Sequence, residues 1–367
     1  MGSAIAHAAV VAAGLGLAAQ LALHAQTGPT ESALSSADAV VVATVQITGS
    51  GQTTLSVVRN VKGDLMTGDA LAIAPLTSAC PGGMSTPTFG LFFLKRAGLQ
   101  WSVLKPQPNA FLGPCGIALP SASSPTTVRT TAVPSTAADH LAVELLAGLE
   151  NYTDKSQLPP LASMLVGIQG STLVPGVLQS LHASSDPELR FIGVLGLLTA
   201  PDDAAALSEI AGNLDLVSTL SSRTLLASSI CGQLNTDAAA VKAIGAISAS
   251  NDLGFQSCAA MALSLIHTRA SLPFLAQLLN NQNTFVREQA MKGLSRFCDN
   301  LPAATAVNMI NGRGVLSQGS SPYSTPGTRK YSLSVSSLNA SPYPESEFLQ
   351  FWSDWWTSVG RTIPSGP

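Results

Sequence analysis

The chain of 367 residues is poor in charge: only 11% of it is Asp, Glu, Lys or Arg, against about 25% in an average soluble domain. Its 18 Lys and Arg stand against 21 Asp and Glu. That balance excludes a basic chain built to neutralise nucleic-acid phosphates. Histidine is scarce too. Beyond residue 25 there are only His140, His182 and His267, far apart along the chain, so no His pair has metal-ligand spacing. The phosphate loop GxxxxGK[ST] and the nucleophile elbow GxSxG are both missing. Serine is spread throughout, so a Ser near a His or Asp carries no weight. Asp202 and Asp203 could offer paired carboxylates, but behind Pro201 they read as caps of a helix start. No catalytic residue, cofactor or metal ligand is assigned, and the chain is expected not to be an enzyme. The low charge accompanies 46% hydrophobic residues, which excludes a wholly disordered chain. The length suggests about two domains.

Long apolar runs are also missing, with one exception. Residues 5–23 are almost unbroken Ala, Val, Leu and Gly, ending at Leu23-His24-Ala25 before Gln26-Thr27-Gly28-Pro29. A small residue ahead of a polar turn is how a signal peptidase site looks, so residues 1–25 are read as an export signal. No Lys or Arg precedes the run, and Leu23 is large for its place. If the segment is retained, it becomes a membrane anchor; a spanning helix needs about 17–25 residues. Cleavage predicts a secreted or periplasmic protein in an oxidising milieu, where disulfides persist.

Residues 26–119 read as β-structure. Val40 to Ile47 is rich in β-branched residues, Thr53 to Val61 alternates through Leu55, Val57 and Val61, and short strands are expected at 70–74, 89–94 and 100–104. Gly-rich turns separate them, which predicts a small antiparallel barrel or sandwich. Ser36-Ala37-Asp38-Ala39-Val40-Val41-Val42, Val58-Arg59-Asn60-Val61-Lys62-Gly63, and Cys80 ahead of Gly90-Leu91-Phe92-Phe93-Leu94 resemble the barrel module of tissue inhibitors of metalloproteinases and netrin-type domains. That resemblance implies an OB-like barrel. In those inhibitors an N-terminal Cys presents its amine and carbonyl to the protease zinc. The expected mature end here is Gln26, with no Cys beside it, so inhibition by that route is not implied. Cys80 and Cys115 flank the last strands. A bridge between them would close a loop of about 35 residues and contribute roughly 3–4 kcal/mol.

Residues 120–135, PSASSPTTVRTTAVPS, read as an extended linker. Across residues 136–310 the hydrophobic period becomes helical. Apolar residues recur at helical spacing in Val194/Leu197/Leu198, Ala227/Ile230/Cys231/Leu234, Ala259/Ala262/Leu263/Ile266 and Ala290/Gly293/Leu294/Phe297, whose starts lie 33, 32 and 31 residues apart. Second amphipathic segments follow at 204–210, 238–247 and 272–279, and earlier helices are expected at 138–149, 160–168 and 173–181. With Ser185-Asp186-Pro187-Glu188-Leu189-Arg190 and Thr284-Phe285-Val286-Arg287-Glu288-Gln289-Ala290, this period resembles HEAT and HEAT-like repeats. The resemblance implies an α-helical solenoid that binds a protein partner. It makes Arg190, Arg223 and Arg287 candidate turn or interaction residues, with Gln256 standing where the next Arg is lost. Gly193, Gly196, Ala260 and Gly293 suit close helix stacking. The competing architecture is a non-repetitive helical bundle. From residue 135 to 310 there are 8 Lys and Arg against 14 Asp and Glu, unsuited to a phosphate-tracking groove. Cys231, Cys258 and Cys298 are expected as buried free thiols, with a bridge between two of them as the alternative.

Residues 311–367 read as an irregular tail ending in a helix whose Phe348, Phe351, Trp352 and Trp355 share one face, next to Trp356. A capping helix is expected there, since repeat arrays need covered ends; an exposed aromatic platform is the alternative. The whole reads as a multidomain α and β protein, an exported scaffold with an unidentified protein partner and no nucleic acid. An inhibitor or ligand-binding protein acting through the barrel is a second reading. A lyase, by analogy with HEAT-like enzymes that attach bilins, is a third.

Overall fold

The computed structural model describes residues 29–47, 52–73, 88–98, 100–104, 116–120, 133–198, 203–297, 302–303, 313–314, 317–318, 343–358 and 360–362. The expected signal segment, Asp202, Cys298 and the expected Cys80–Cys115 bridge lie outside the described residues. Contacts divide the chain into two compact units, residues 1–196 with 220–222, and residues 197–219 with 223–367.

The first unit opens with α1 (Pro29–Ser36), then β1 (Ala39–Ile47), β2 (Thr53–Lys62), β3 (Ala70–Ile73), β4 (Phe89–Ala97), β5 (Gln100–Val103) and the two-residue β6 (Ile117–Ala118). The five longer strands close into a barrel in the order β1-β2-β3-β5-β4 and back to β1. All pairings are antiparallel except β3 with β5. The register climbs steeply. A circuit through Ile47, Thr53, Ile73, Trp101 and Arg96 meets β1 again at the level of Ala37, ten residues lower. Such a stagger requires strongly tilted strands. Val41, Ala43, Leu55, Val57, Leu71, Ile73, Phe92 and Leu94 fill the interior. Val40 and Val42 are buried as well, because helices lie on the barrel's outside, α1 against β4 and α2 (Ala137–Glu150) against β2. Burial on both faces explains why β1 is a continuous apolar run rather than an alternating one.

The two barrel motifs meet in space. Lys62 Nζ donates to the carbonyls of Leu34 (2.6 Å) and Ala37 (2.7 Å), closing the C-terminal end of α1. Gly63 has φ +94°, and a Cβ there would lie 2.8 Å from the Asp38 carbonyl oxygen. Asp38 in turn accepts from the backbone N–H of Arg96 (2.8 Å) and from Lys95 Nζ (3.0 Å).

The same unit continues through α2, α3 (Leu158–Val166), α4 (Val174–His182) and α5 (Pro187–Leu197). Thr136 and Asp139 form a capping box at the start of α2. Arg59 of β2 and Glu144 of α2 make a two-pronged ion pair, both bonds 2.7 Å. Gly193 lies against the backbone of His182, and Gly196 against Leu178.

The second unit holds α6 (Asp203–Gly212), the single turn α7 (Leu214–Val217), α8 (Arg223–Cys231), α9 (Ala238–Ile247), α10 (Leu253–Leu265), α11 (Leu272–Leu278), α12 (Thr284–Ser295) and α13 (Glu345–Ser358). Helix α10 lies between α8 and α12; α6 packs on α9, α11 on α12, and α13 on both α11 and α12. A Cβ on Gly293 of α12 would sit 2.7 Å from the Leu275 side chain and 3.1 Å from the Ser264 Cα. Leu234, expected on a helix face, is instead 61% exposed, because α8 stops at Cys231. The expectation of free thiols fails for Cys231 and Cys258, which are bonded to each other. They meet because α8 and α10 pack side by side in parallel, with Ala227 facing Gly254 one turn earlier.

Replacing Gly63 by Ala forces a Cβ into the Asp38 carbonyl at a positive φ. Urea unfolding of Gly63→Ala is expected to show a loss of about 1–3 kcal/mol.

Candidate functional site

A helix leaves four N–H groups unpaired at its start and four carbonyls at its end. Apart from the one-turn α7, helices α2 to α12 run from seven to fourteen residues, so open ends are numerous. With little charge available, neutral polar side chains and a few carboxylates fill them. Many come from a neighbouring turn roughly one sequence repeat away.

In the first unit, Asp139 is buried. One of its oxygens accepts from the backbone N–H groups of Ser135 and Thr136, both 3.2 Å. The other accepts from Ser171 Oγ (2.7 Å) and the Thr172 N–H (3.2 Å), 32 and 33 residues on. Tyr152 Oη donates to Asp186 Oδ2 (2.9 Å), 34 residues on. Asp186 Oδ1 accepts from the Glu188 N–H (2.9 Å) and so caps α5. Glu188 is itself 1% exposed. It meets Lys155 Nζ at 3.1 Å and accepts from the Ser221 N–H (3.1 Å) and Oγ (2.8 Å), 33 residues on.

The second unit repeats the device. Gln233 Nε2 donates to the Leu198 carbonyl (3.2 Å), across 35 residues. Asn235 Nδ2 donates to Asp203 Oδ1 across 32 residues. Arg296 Nη1 donates to the carbonyls of Ser264 (3.0 Å) and Leu265 (2.7 Å), closing the end of α10 from 32 and 31 residues away. Asp252 and Asn283 cap α10 and α12, each accepting from two of the N–H groups of the first turn.

The sequence reading missed these residues, yet a signal exists. Asp186, Asp237, Asp252 and Asn283 each donate a backbone N–H to a Ser or Asn side chain two residues earlier. The tripeptides are Ser184-Ser185-Asp186, Asn235-Thr236-Asp237, Ser250-Asn251-Asp252 and Asn281-Gln282-Asn283. A short polar residue, any residue, then Asp or Asn is the pattern of side-chain turns that start helices.

The expected repeat arginines each touch groups in their own turn. Arg190 lies over the Phe191 ring (5.7 Å), and Arg223 Nη1 donates to the Ser218 carbonyl (3.3 Å). Arg287 donates to the carbonyls of Asn281 and Gln282, both 2.8 Å, and to Thr284 Oγ1 (2.9 Å). In the tail, Trp352 and Trp355 are buried and meet edge to face at 5.7 Å. Trp356 packs beneath Gly360 and carries the Arg361 guanidinium 5.8 Å over its ring. The side chains of Phe348 and Phe351 lie outside the described residues. Asn151, in the glycosylation-type run Asn151-Tyr152-Thr153, donates its side-chain N–H to the Ala147 carbonyl (2.8 Å).

Chemically, the carboxylates of this ladder are acceptors already supplied with donors. Ser171, Ser135 and Thr136 hold the Asp139 carboxyl well below the usual carboxylate range, the Ser171 hydroxyl most of all and against the effect of burial. Burial, then the hydrogen bond to Asp186, pushes the Tyr152 hydroxyl up to about 12. Burial and the charge of Arg296 lower His267, whose ring meets Phe297 at 4.5 Å. Among the described residues no group of three or more His, Cys, Asp or Glu is placed to hold a metal ion.

Compared with known proteins, the chain matches no family model, no curated protein and no solved structure.

Two outcomes are expected from the ladder. Asp139→Asn is expected to lower stability by about 2–3 kcal/mol at neutral pH, because charge-assisted bonds are lost inside the fold. Since the folded-state pKa of Asp139 is depressed, its contribution is full above the unfolded carboxylate value of about 4 and fades as pH falls. Urea midpoints of native and variant protein should therefore converge on acidification. The raised Tyr152 acts at the other end: stability falls as pH rises through about 10, where the unfolded chain ionises first. Tyr152→Phe should remove that part of the alkaline loss.

Proposed function

We propose that the chain is an exported interaction protein, with no reaction of its own, that holds a protein partner along a face of stacked HEAT-like helical hairpins. The observation that carries this reading is the recurrence of polar side-chain contacts at separations of 31–35 residues, the same step as the hydrophobic period in the sequence. Hairpins whose open ends are finished by the next hairpin form an extendable stack, and such stacks present long continuous faces. The side-by-side placement of α8, α10 and α12 fits that arrangement. The barrel's strand order and steep stagger support an OB-like module at the front of the chain. The Cys231–Cys258 bridge suits an oxidising compartment, and among the described residues no helix is long and apolar enough to cross a membrane.

The outward side of α8, α10 and α12 offers half-buried Leu225, Ser257 and Met261 beside the paired Glu288 and Lys292 (2.8 Å). This mixed face, neither strongly charged nor wholly apolar, suits a folded protein surface. The test places a photo-crosslinking residue at Ser257 and captures partners from periplasm or culture medium. Capture of one specific protein, lost at least tenfold in Met261→Lys with an unchanged unfolding midpoint, is the expected result. Capture that survives Met261→Lys but fails in Trp101→Ala transfers the role to the barrel. Turnover of a substrate with no specific capture refutes the reading.

A further inference from the structure

The α8–α10 interface is close and is built largely on small residues. Helix α8 buries only Leu226, Ala227, Ile230 and Cys231, and Ala227 faces the bare backbone of Gly254, where an added Cβ would be 3.7 Å away. Small side chains let the two backbones approach but interlock little, so the bridge is the feature best placed to fix their offset.

The next interface shows what the bridge replaces. Between α10 and α12, Ser264 Oγ meets Gln289 Oε1 at 3.2 Å in a buried hydrogen bond. Cys258 and Gln289 each stand one residue before the apolar starts Ala259 and Ala290, while Cys231 and Ser264 stand four and five residues after Ala227 and Ala259. Cys258 and Gln289 thus hold the same repeat position while their partners differ by one residue, so each interface carries one buried crosslink at about the same level, one covalent and one not.

Both cysteines are nearly sealed, 4% and 8% exposed. An oxidant cannot reach them once α8 and α10 have docked, so the bond must form while this pair is still open. We propose that Cys231 and Cys258 are a maturation site: an external disulfide donor oxidises them in the incompletely folded chain, and α8 and α10 reach their final register only with that bond made. The step is thiol–disulfide exchange. One Cys thiolate attacks the donor's disulfide, the second displaces the donor from the mixed disulfide, and the donor leaves as a dithiol carrying the two electrons and two protons. The partner class is therefore a disulfide-bearing thiol oxidant, whatever the outer face of the helices binds.

The full chain, produced under oxidising conditions and alkylated in denaturant, is expected to show no free thiol at either position by mass spectrometry. Amide exchange in α8 and α10 should quicken on the order of a hundredfold in Cys231→Ser/Cys258→Ser, the closure effect of such a loop, while barrel amides hold steady. Cys231→Ser/Cys258→Gln, which copies the neighbouring rung, should recover part of the protection. Should the Ser variant not fold, the native chain is reduced in denaturant and refolded with or without oxidised glutathione. Native protection of α8 and α10 is expected only with it. Free thiols at both positions in the oxidised product, native exchange in the Ser variant, or equal refolding without an oxidant each overturn the assignment. None of these measurements involves partner capture, so the two proposals fail separately.

Discussion

Short helices and scarce charge set the terms for the helical part of this molecule. A helix of about ten residues has most of its backbone groups within reach of an end, and isolated segments of that length are marginal in water. Here the ends are finished by Asp, Asn, Ser and Gln, and repeatedly by a side chain about one repeat away. Glu188 reaches Ser221, and Arg296 reaches the end of α10. Where an end is closed from a turn 31–35 residues away, the two helices depend on each other for polar as well as apolar reasons. The Asp139 carboxylate accepts from backbone N–H groups and hydroxyls on both oxygens, and so closes two turns at once.

The barrel follows a different logic. Its interior is ordinary alternation, but β1 is buried on both sides and acts as a central wall rather than a surface strand. Arg59 and Glu144 add a directional, charge-assisted link between β2 and α2. The pair is partly screened on the Arg side, and its geometry fixes orientation more than it adds stability.

Much of this was legible in the sequence because periodicity survives where packing is regular. The strands around Val41, Leu55 and Phe92, and the helices around Leu145, Ile244 and Leu263, fall where alternation and helical spacing place them. Helix α1 escaped notice because its apolar positions, Ala33 and Leu34, are too few to declare a period; only Pro29 hints at a helix start. Leu234 was misread because a helical pattern does not announce its own end. A bridge among Cys231, Cys258 and Cys298 stands in the sequence only as an alternative, because which two meet depends on how two parallel helices are offset, which chain separation does not encode. The polar ladder lay hidden in common residues, since Ser and Asn are informative only when their position relative to a helix start is known.

Helix α1 has a consequence for the order in which the molecule takes shape. Its carbonyls are closed by Lys62, and Thr30 and Glu31 rest against Gly167 and Gly170. An eight-residue segment with so few intrinsic resources cannot hold its coil by itself. Its coil therefore persists only once Lys62, 28 residues beyond Leu34 in the chain, and the turn holding Gly167 and Gly170 have both taken their places, so this short helix is among the last pieces of its unit to settle.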